Sequence, residues 1–209
     1  MQTIACLAEE GQPVIQARIA ERLGKASPSV GEMLERLTAD GYLKRSGRQI
    51  ALTKKGSATA TKVIRRHRLA ERMLVDVIGL PWHLVHEEAG RWEHVISEEV
   101  EDRLVALLDD PATCPHGNPI PGSSKRSEIE PSVSLSEVEI GELVRFVRMS
   151  EDIEMDIAAM RYLGDAGFIP GRTARIETRA PDKTVVLDVD GTTLALGYDF
   201  CQRVFVTAA

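Results

Sequence analysis

Apolar residues Val14, Ile15, Ile19, Ala20 and Leu23 recur at helical spacing and stop at Gly24, which predicts a short amphipathic helix. Ser27-Pro28 starts a second one, with Ser as the cap and Pro at the first helical position. Its stripe runs through Val30, Met33, Leu34 and Leu37 to Asp40-Gly41. Two helices joined by so short a turn predict a helix-turn-helix. Tyr42 to Arg45, Ser46-Gly47 and Arg48 to Leu52 then read as a hairpin, which adds a basic wing. A helical hairpin that merely packs on a neighbour is the plainer alternative.

From Thr61 to Leu108 the pattern is almost continuously helical, broken at Gly79-Leu80-Pro81. Leu69, Met73, Leu74, Val77, Ile78, Trp82 and Trp92 give this block more apolar surface than it can bury alone, so a second copy is expected to cover part of it. Residues 111–131 hold five of the ten prolines, and the stretch from Gly122 to Ser136 is rich in Ser and charge, as in a tether. Beyond it, residues 141–148, 184–189 and 192–196 alternate as strands, with a tight-turn signal at Asp190-Gly191. Strands with one helical excursion near Tyr162 predict a small β-barrel. The organisation expected is therefore α+β: a winged helix-turn-helix over 1–61, a helical dimerisation domain over 62–121, a tether over 122–140 and a barrel over 141–209.

Charge sharpens the picture. The net charge is −6, yet residues 12–68 carry 13 Lys/Arg against 4 Asp/Glu, a local +9, leaving −15 elsewhere. A basic segment on an acidic chain is the footprint of a nucleic-acid module, although a solvated charged face would look similar. No run of eighteen apolar residues and no signal-peptide pattern occur, so a cytoplasmic protein without a membrane partner is expected. Three widely spaced cysteines, Cys6, Cys114 and Cys201, suit reduced thiols.

The candidate chemistry lies in the helical block. His67 and Glu71 are four residues apart and so share a helix face, and His86 and the pair Glu93-His94 follow. Imidazole and carboxylate at such spacing suit a divalent cation. His86 and His94 would lie roughly 12 Å apart along a helix, so two neighbouring sites are expected rather than one.

Four segments carry a resemblance over essentially the whole chain: Ala17 to Leu23 (ARIAERL), His67 to Arg72 (HRLAER), His86 to His94 (HEEAGRWEH) and Gly117 to Gly122 (GNPIPG). Together they resemble the diphtheria toxin repressor family of iron- and manganese-dependent regulators, with an SH3-like C-terminal barrel shared with ferrous-transport accessory proteins. The resemblance implies a homodimer that binds palindromic double-stranded operator DNA when charged with metal, with no small-molecule substrate. Residue by residue, it implies a first metal site of His67, Glu71, His86, Glu151 and Glu154, and an anion position at Arg68 and Asn118, with Cys114 where a serine is usual. It implies a second site of Glu93 and His94 with a ligand at Gly90, which has no side chain to offer. A further family ligand falls two residues before Met1. A late start combined with a weakened second site is the expectation; the alternatives are a chain that senses with one strong site, or substitution by His83, Cys114 or His116. At DNA it implies Lys25, Ser27, Pro28, Ser29, Arg36 and Arg48, and Glu32 where the family carries an amide.

Two other classes compete. A metalloenzyme could use the same His/Glu cluster, but no Gly-rich phosphate loop, nucleophile elbow or His-Glu-x-x-His motif is present, so no catalytic residue is expected. A metal-buffering protein that has lost its DNA contact is the other. The imidazole and carboxylate ligands accept Fe(II), Mn(II), Co(II), Ni(II) or Zn(II), and the resemblance leans towards Fe(II), with a Mn(II)-responsive repressor as the alternative.

Overall fold

A computed structural model describes residues 1–126 and 130–209; residues 127–129, inside the expected tether, lie outside the described residues. The chain divides into two compact units, Met1–Arg66 and His67–Ala209.

The first unit opens with α1 (Gln2–Glu9), which no sequence pattern above predicted, and continues with α2 (Gln16–Leu23) and α3 (Ser27–Ala39). Gly24 ends α2 in the left-handed region at φ 58°, a conformation that glycine adopts without steric cost. Ala26, not Ser27, is the cap of α3; the Ser27 hydroxyl instead accepts a hydrogen bond from Gln16 Nε2 at 3.2 Å. The wing is β1 (Leu43–Ser46) paired antiparallel with β2 (Gln49–Leu52). Ile4, Leu7, Ile19, Ala20, Val30, Leu34, Leu43 and Ile50 form one core beneath helices and wing. This is a winged helix-turn-helix.

α4 (Lys54–Met73) continues into a π-helical turn, Leu74–Ile78, which Gly79 ends at φ 77°. In the second unit, α5 (Val85–Trp92) and α6 (Glu98–Leu107) follow, the latter capped by the Ser97 side chain. They enclose Leu69, Ala70, Leu74, Val85, Ala89, Ile96, Leu104 and Ile120. At the start of the expected tether, Ser124 donates to Asp110 through both its backbone N–H and its hydroxyl.

The remainder of this unit comprises β3 (Val133–Ser134), β4 (Leu143–Met149), α7 (Glu151–Glu154), α8 (Ile157–Asp165), β5 (Thr173–Arg179), β6 (Val185–Val189), β7 (Thr192–Leu196), α9 (Tyr198–Cys201) and β8 (Val204–Ala208). Asp190 and Gly191 both take positive φ between β6 and β7, as the tight turn requires. The strands form one antiparallel sheet in the order β3-β8-β4-β5-β6-β7 around Phe146, Phe168, Ile176, Leu187 and Leu194.

That sheet corrects the expectation of a closed SH3-like barrel. Its edges, β3 and β7, do not pair, so the sheet is open. β3 has only two residues, both used against β8. At the β7 edge, Tyr162 from α8 takes the place of a neighbouring strand: its hydroxyl donates to the Ala195 carbonyl at 3.2 Å and accepts from the Ala195 N–H at 3.1 Å. Among the described residues no helix is long and apolar enough to cross a membrane.

Candidate metal centre

The second unit brings three imidazoles and two carboxylates together in its interior. His67 and Glu71 lie one turn apart on α4, and His86 lies in the first turn of α5. Glu154 ends α7, and His116 lies in the loop between α6 and β3. That loop is folded by an isolated bridge, Thr113 to Pro119, and by the Cys114 N–H donating to the Asn118 carbonyl at 2.9 Å. Gly117 lets it approach β4: a Cβ there would stand 1.9 Å from the Val147 carbonyl oxygen, and its φ of 86° already disfavours a side chain.

Glu71 is the hub. Its Oε1 lies 3.1 Å from His67 Nε2, 3.1 Å from His86 Nδ1 and 3.3 Å from His116 Nδ1. Glu154 Oε2 lies 2.9 Å from His86 Nδ1 and 3.2 Å from His116 Nδ1. The His116 ring is oriented from outside, its Nε2 lying 3.1 Å from the Trp82 carbonyl oxygen. Nε2 must therefore donate, which leaves the Nδ1 lone pair of the neutral ring facing the two carboxylates.

Burial alone would lower the pKa of His67, but Glu71 and Glu93 outweigh it and lift it to about 9. Burial is likewise overcome at His86, which Glu154 and Glu71 raise to about 10, and at His116, which the same carboxylates push well above its usual 6.5. Burial would raise Glu154, yet His116 and His86 bring it down to about 2; Glu71 is held well below 4.5 by His67 and His116. Burial pushes the Cys114 thiol up to about 12, with Glu71 adding to the rise.

Protons thus hold together buried groups that a cation would hold better. Glu71 Oε2 is buried without a hydrogen-bond partner, and His116 Nδ1, though close to two carboxylates, lies outside hydrogen-bonding geometry. Orphaned buried donor atoms of this kind are what an ion satisfies. Two sets of ligating atoms converge within 4.8 Å among the described residues: His67, Glu71 and His86, and Glu71, Cys114 and His116. Imidazole, carboxylate and thiol suit a divalent transition metal. The residues present fit the ion.

The other expected residues are placed differently. Glu151, half-buried at the start of α7, belongs to neither converging set. Glu93 is buried and directs Oε2 to His67 Nδ1 at 2.6 Å, while its Oε1 lies 3.2 Å from His94 Nε2. His94 itself is 68% exposed. Gly90 leaves open space where a side chain would be. His83 accepts from Arg161 Nε. At the expected anion position, Arg68 donates to the Pro119 carbonyl at 2.5 Å and Asn118 to Glu154 Oε1 at 2.5 Å, so protein acceptors engage both. Lys25, Ser27, Pro28, Ser29, Glu32, Arg36 and Arg48 are all exposed in the first unit.

Comparison with known proteins agrees with this geometry. The iron dependent repressor N-terminal DNA binding domain matches residues 1–51, the iron dependent repressor metal binding and dimerisation domain residues 53–122, and the FeoA domain residues 133–208. The iron-dependent repressor IdeR of Mycobacterium tuberculosis (strain ATCC 25618 / H37Rv) is 45% identical over 201 residues, covering 91% of this chain and 87% of that protein. The diphtheria toxin repressor of Corynebacterium diphtheriae is 37% identical, over 98% of this chain and 93% of its own. The crystal structure of T. acidophilum IdeR superposes with a TM-score of 0.79 at 28% identity, over all of this chain and 95% of the other. A winged helix, a buried His/Glu cluster and relatives matched over nearly their full length place this chain in the diphtheria toxin repressor family of iron-dependent regulators.

Proposed function

We propose that this chain is a metal-dependent transcriptional repressor that binds double-stranded operator DNA as a homodimer when loaded with Fe(II), and so controls genes of iron uptake and homeostasis. It is a cytoplasmic regulator, not an enzyme. The observation that carries the reading is the buried cluster around Glu71, with its orphaned oxygen and three imidazoles within 3.3 Å. Iron follows from the relatives named iron-dependent repressor, and the Cys114 thiol adds a soft donor to the set.

His67, Glu71, His86 and Glu154 would hold one ion, while Glu71, Cys114 and His116 converge on a second position that shares Glu71; Glu151 is the further ligand that family resemblance suggests. The ion supplies fixed positive charge in place of titratable protons. The chain's own residues do the rest. Glu93 and the Trp82 carbonyl orient His67 and His116. Asn118 does the same for Glu154. Exposed Lys25, Ser27, Ser29, Arg36 and Arg48 supply phosphate and base contacts around the start of α3 and at the wing.

The test is binding of duplexes selected from a random pool, under anaerobic conditions, with Fe(II), with Mn(II) and with chelator. Fe(II) should tighten binding on the order of tenfold or more, reversibly, with a steep salt dependence. Equal affinity with and without metal would sink the reading.

A further inference from the structure

The exposed face of α3 presents Ser29, Glu32, Met33 and Arg36, with exposed Glu35 on its flank, while Val30 and Leu34 are buried beneath it. Glu and Arg four residues apart on a helix, with the acid first, attract one another. Among the described residues the two other exposed pairs of this kind behave so, Glu87 with Arg91 at 2.5 Å and Glu99 with Arg103 at 2.9 Å. Glu32 and Arg36 share that spacing and order, yet neither is paired with any described residue. The recognition helix of a basic segment therefore carries an uncompensated carboxylate in the middle of its outward face.

In the major groove a carboxylate meets phosphate repulsion from both sides and gains only where a base donates to it. The groove offers two donors, cytosine N4 and adenine N6. Adenine sets its N7 acceptor beside N6, which repels a carboxylate. Guanine shows N7 and O6, and thymine shows O4, all acceptors. Cytosine alone presents a donor with no acceptor of its own beside it.

From this we infer that Glu32 selects cytosine at one position of each operator half-site, accepting a hydrogen bond from its N4 amino group. The inference rests on the DNA-binding reading above and names what that interface prefers. Glu32 acts by exclusion as much as by attraction, since each other base would leave its charge facing an acceptor or unpaired in the groove.

The test uses the full chain loaded with Fe(II), as wild type, Glu32→Gln and Glu32→Ala. Each is passed through selection on randomised duplexes, and the winning site and its single-base variants are then titrated. Wild type should show one position per half-site where cytosine is favoured by about tenfold over the other bases. Glu32→Gln should exchange cytosine for adenine there, because an amide can bond N6 and N7 together. Glu32→Ala should flatten that position, leave the rest of the site unchanged and raise affinity for unselected DNA. Unaltered melting temperatures would show that the variants fold. If Glu32→Ala selects the same bases as wild type at every position, the assignment is overturned. If wild type enriches no duplex with or without metal, it is the repressor reading itself that falls, and the inference with it.

Discussion

Glu93 and His94 are neighbours in sequence, yet one is buried and the other exposed. Just past the end of α5, Glu93 turns inward to His67, while the His94 ring stays in solvent although its Nε2 reaches Glu93 Oε1. The loop residue His116 does the reverse, entering the cluster from far along the chain. His116→Ala should weaken metal binding by more than about a hundredfold, beyond the usual loss for an outer contact, whereas His94→Ala should change it only a few-fold. Competition against a chromogenic chelator measures both, and the opposite ranking would move the centre to the exposed pair. Helical spacing made His67, Glu71 and His86 legible, and family resemblance added Glu154. Spacing could not assign His116 or Cys114 to this cluster, because their approach depends on Gly117 seating a loop against β4. Cysteine and histidine two residues apart, just before that glycine, were the available signal.

At the scale of elements, the alternation in 184–196 and the Asp190-Gly191 turn located β6 and β7, and Gly24 located the end of α2. α1 had signals of its own, Ile4 and Leu7 at helical spacing and Gly11 just beyond its end, but its eight residues make only about two turns. Sheet closure escaped for another reason: it depends on whether two distant edges meet, which strand periodicity does not encode. Here Tyr162 occupies the Ala195 position of the β7 edge. Tyr162→Phe should cost about 0.5–1.5 kcal/mol in urea unfolding, the net worth of a hydrogen bond, and should speed amide exchange at Ala195. Unchanged exchange there would mean that the hydroxyl does not protect the edge.

For the molecule as a whole, the cluster makes stability depend on pH in a way that metal should reverse. In the metal-free chain, the raised pKa values of His67 (about 9) and His86 (about 10) give stabilisation that is complete below 6.5 and lost as pH rises through 9–10. The depressed Glu154 contributes above 4.5 and loses its contribution as pH falls towards about 2. Melting of the chelated protein should therefore be highest between about 4.5 and 6.5 and decline on the alkaline side. An ion needs neutral imidazoles, so the gap between loaded and chelated melting temperatures should widen from pH 6.5 to 9. A chelated protein whose melting does not fall over that range would mean that the histidines are neutral without metal. The sharing of Glu71 between the two converging sets has a different consequence. Its Oε1 faces three imidazoles while Oε2 is bare, so two ions would divide one carboxylate between them. The first to arrive would spend much of the negative charge that attracts the second. Occupancy would then rise in separated steps instead of one steep transition, and such a regulator would answer rising metal by degrees, closer to a dimmer than to a switch.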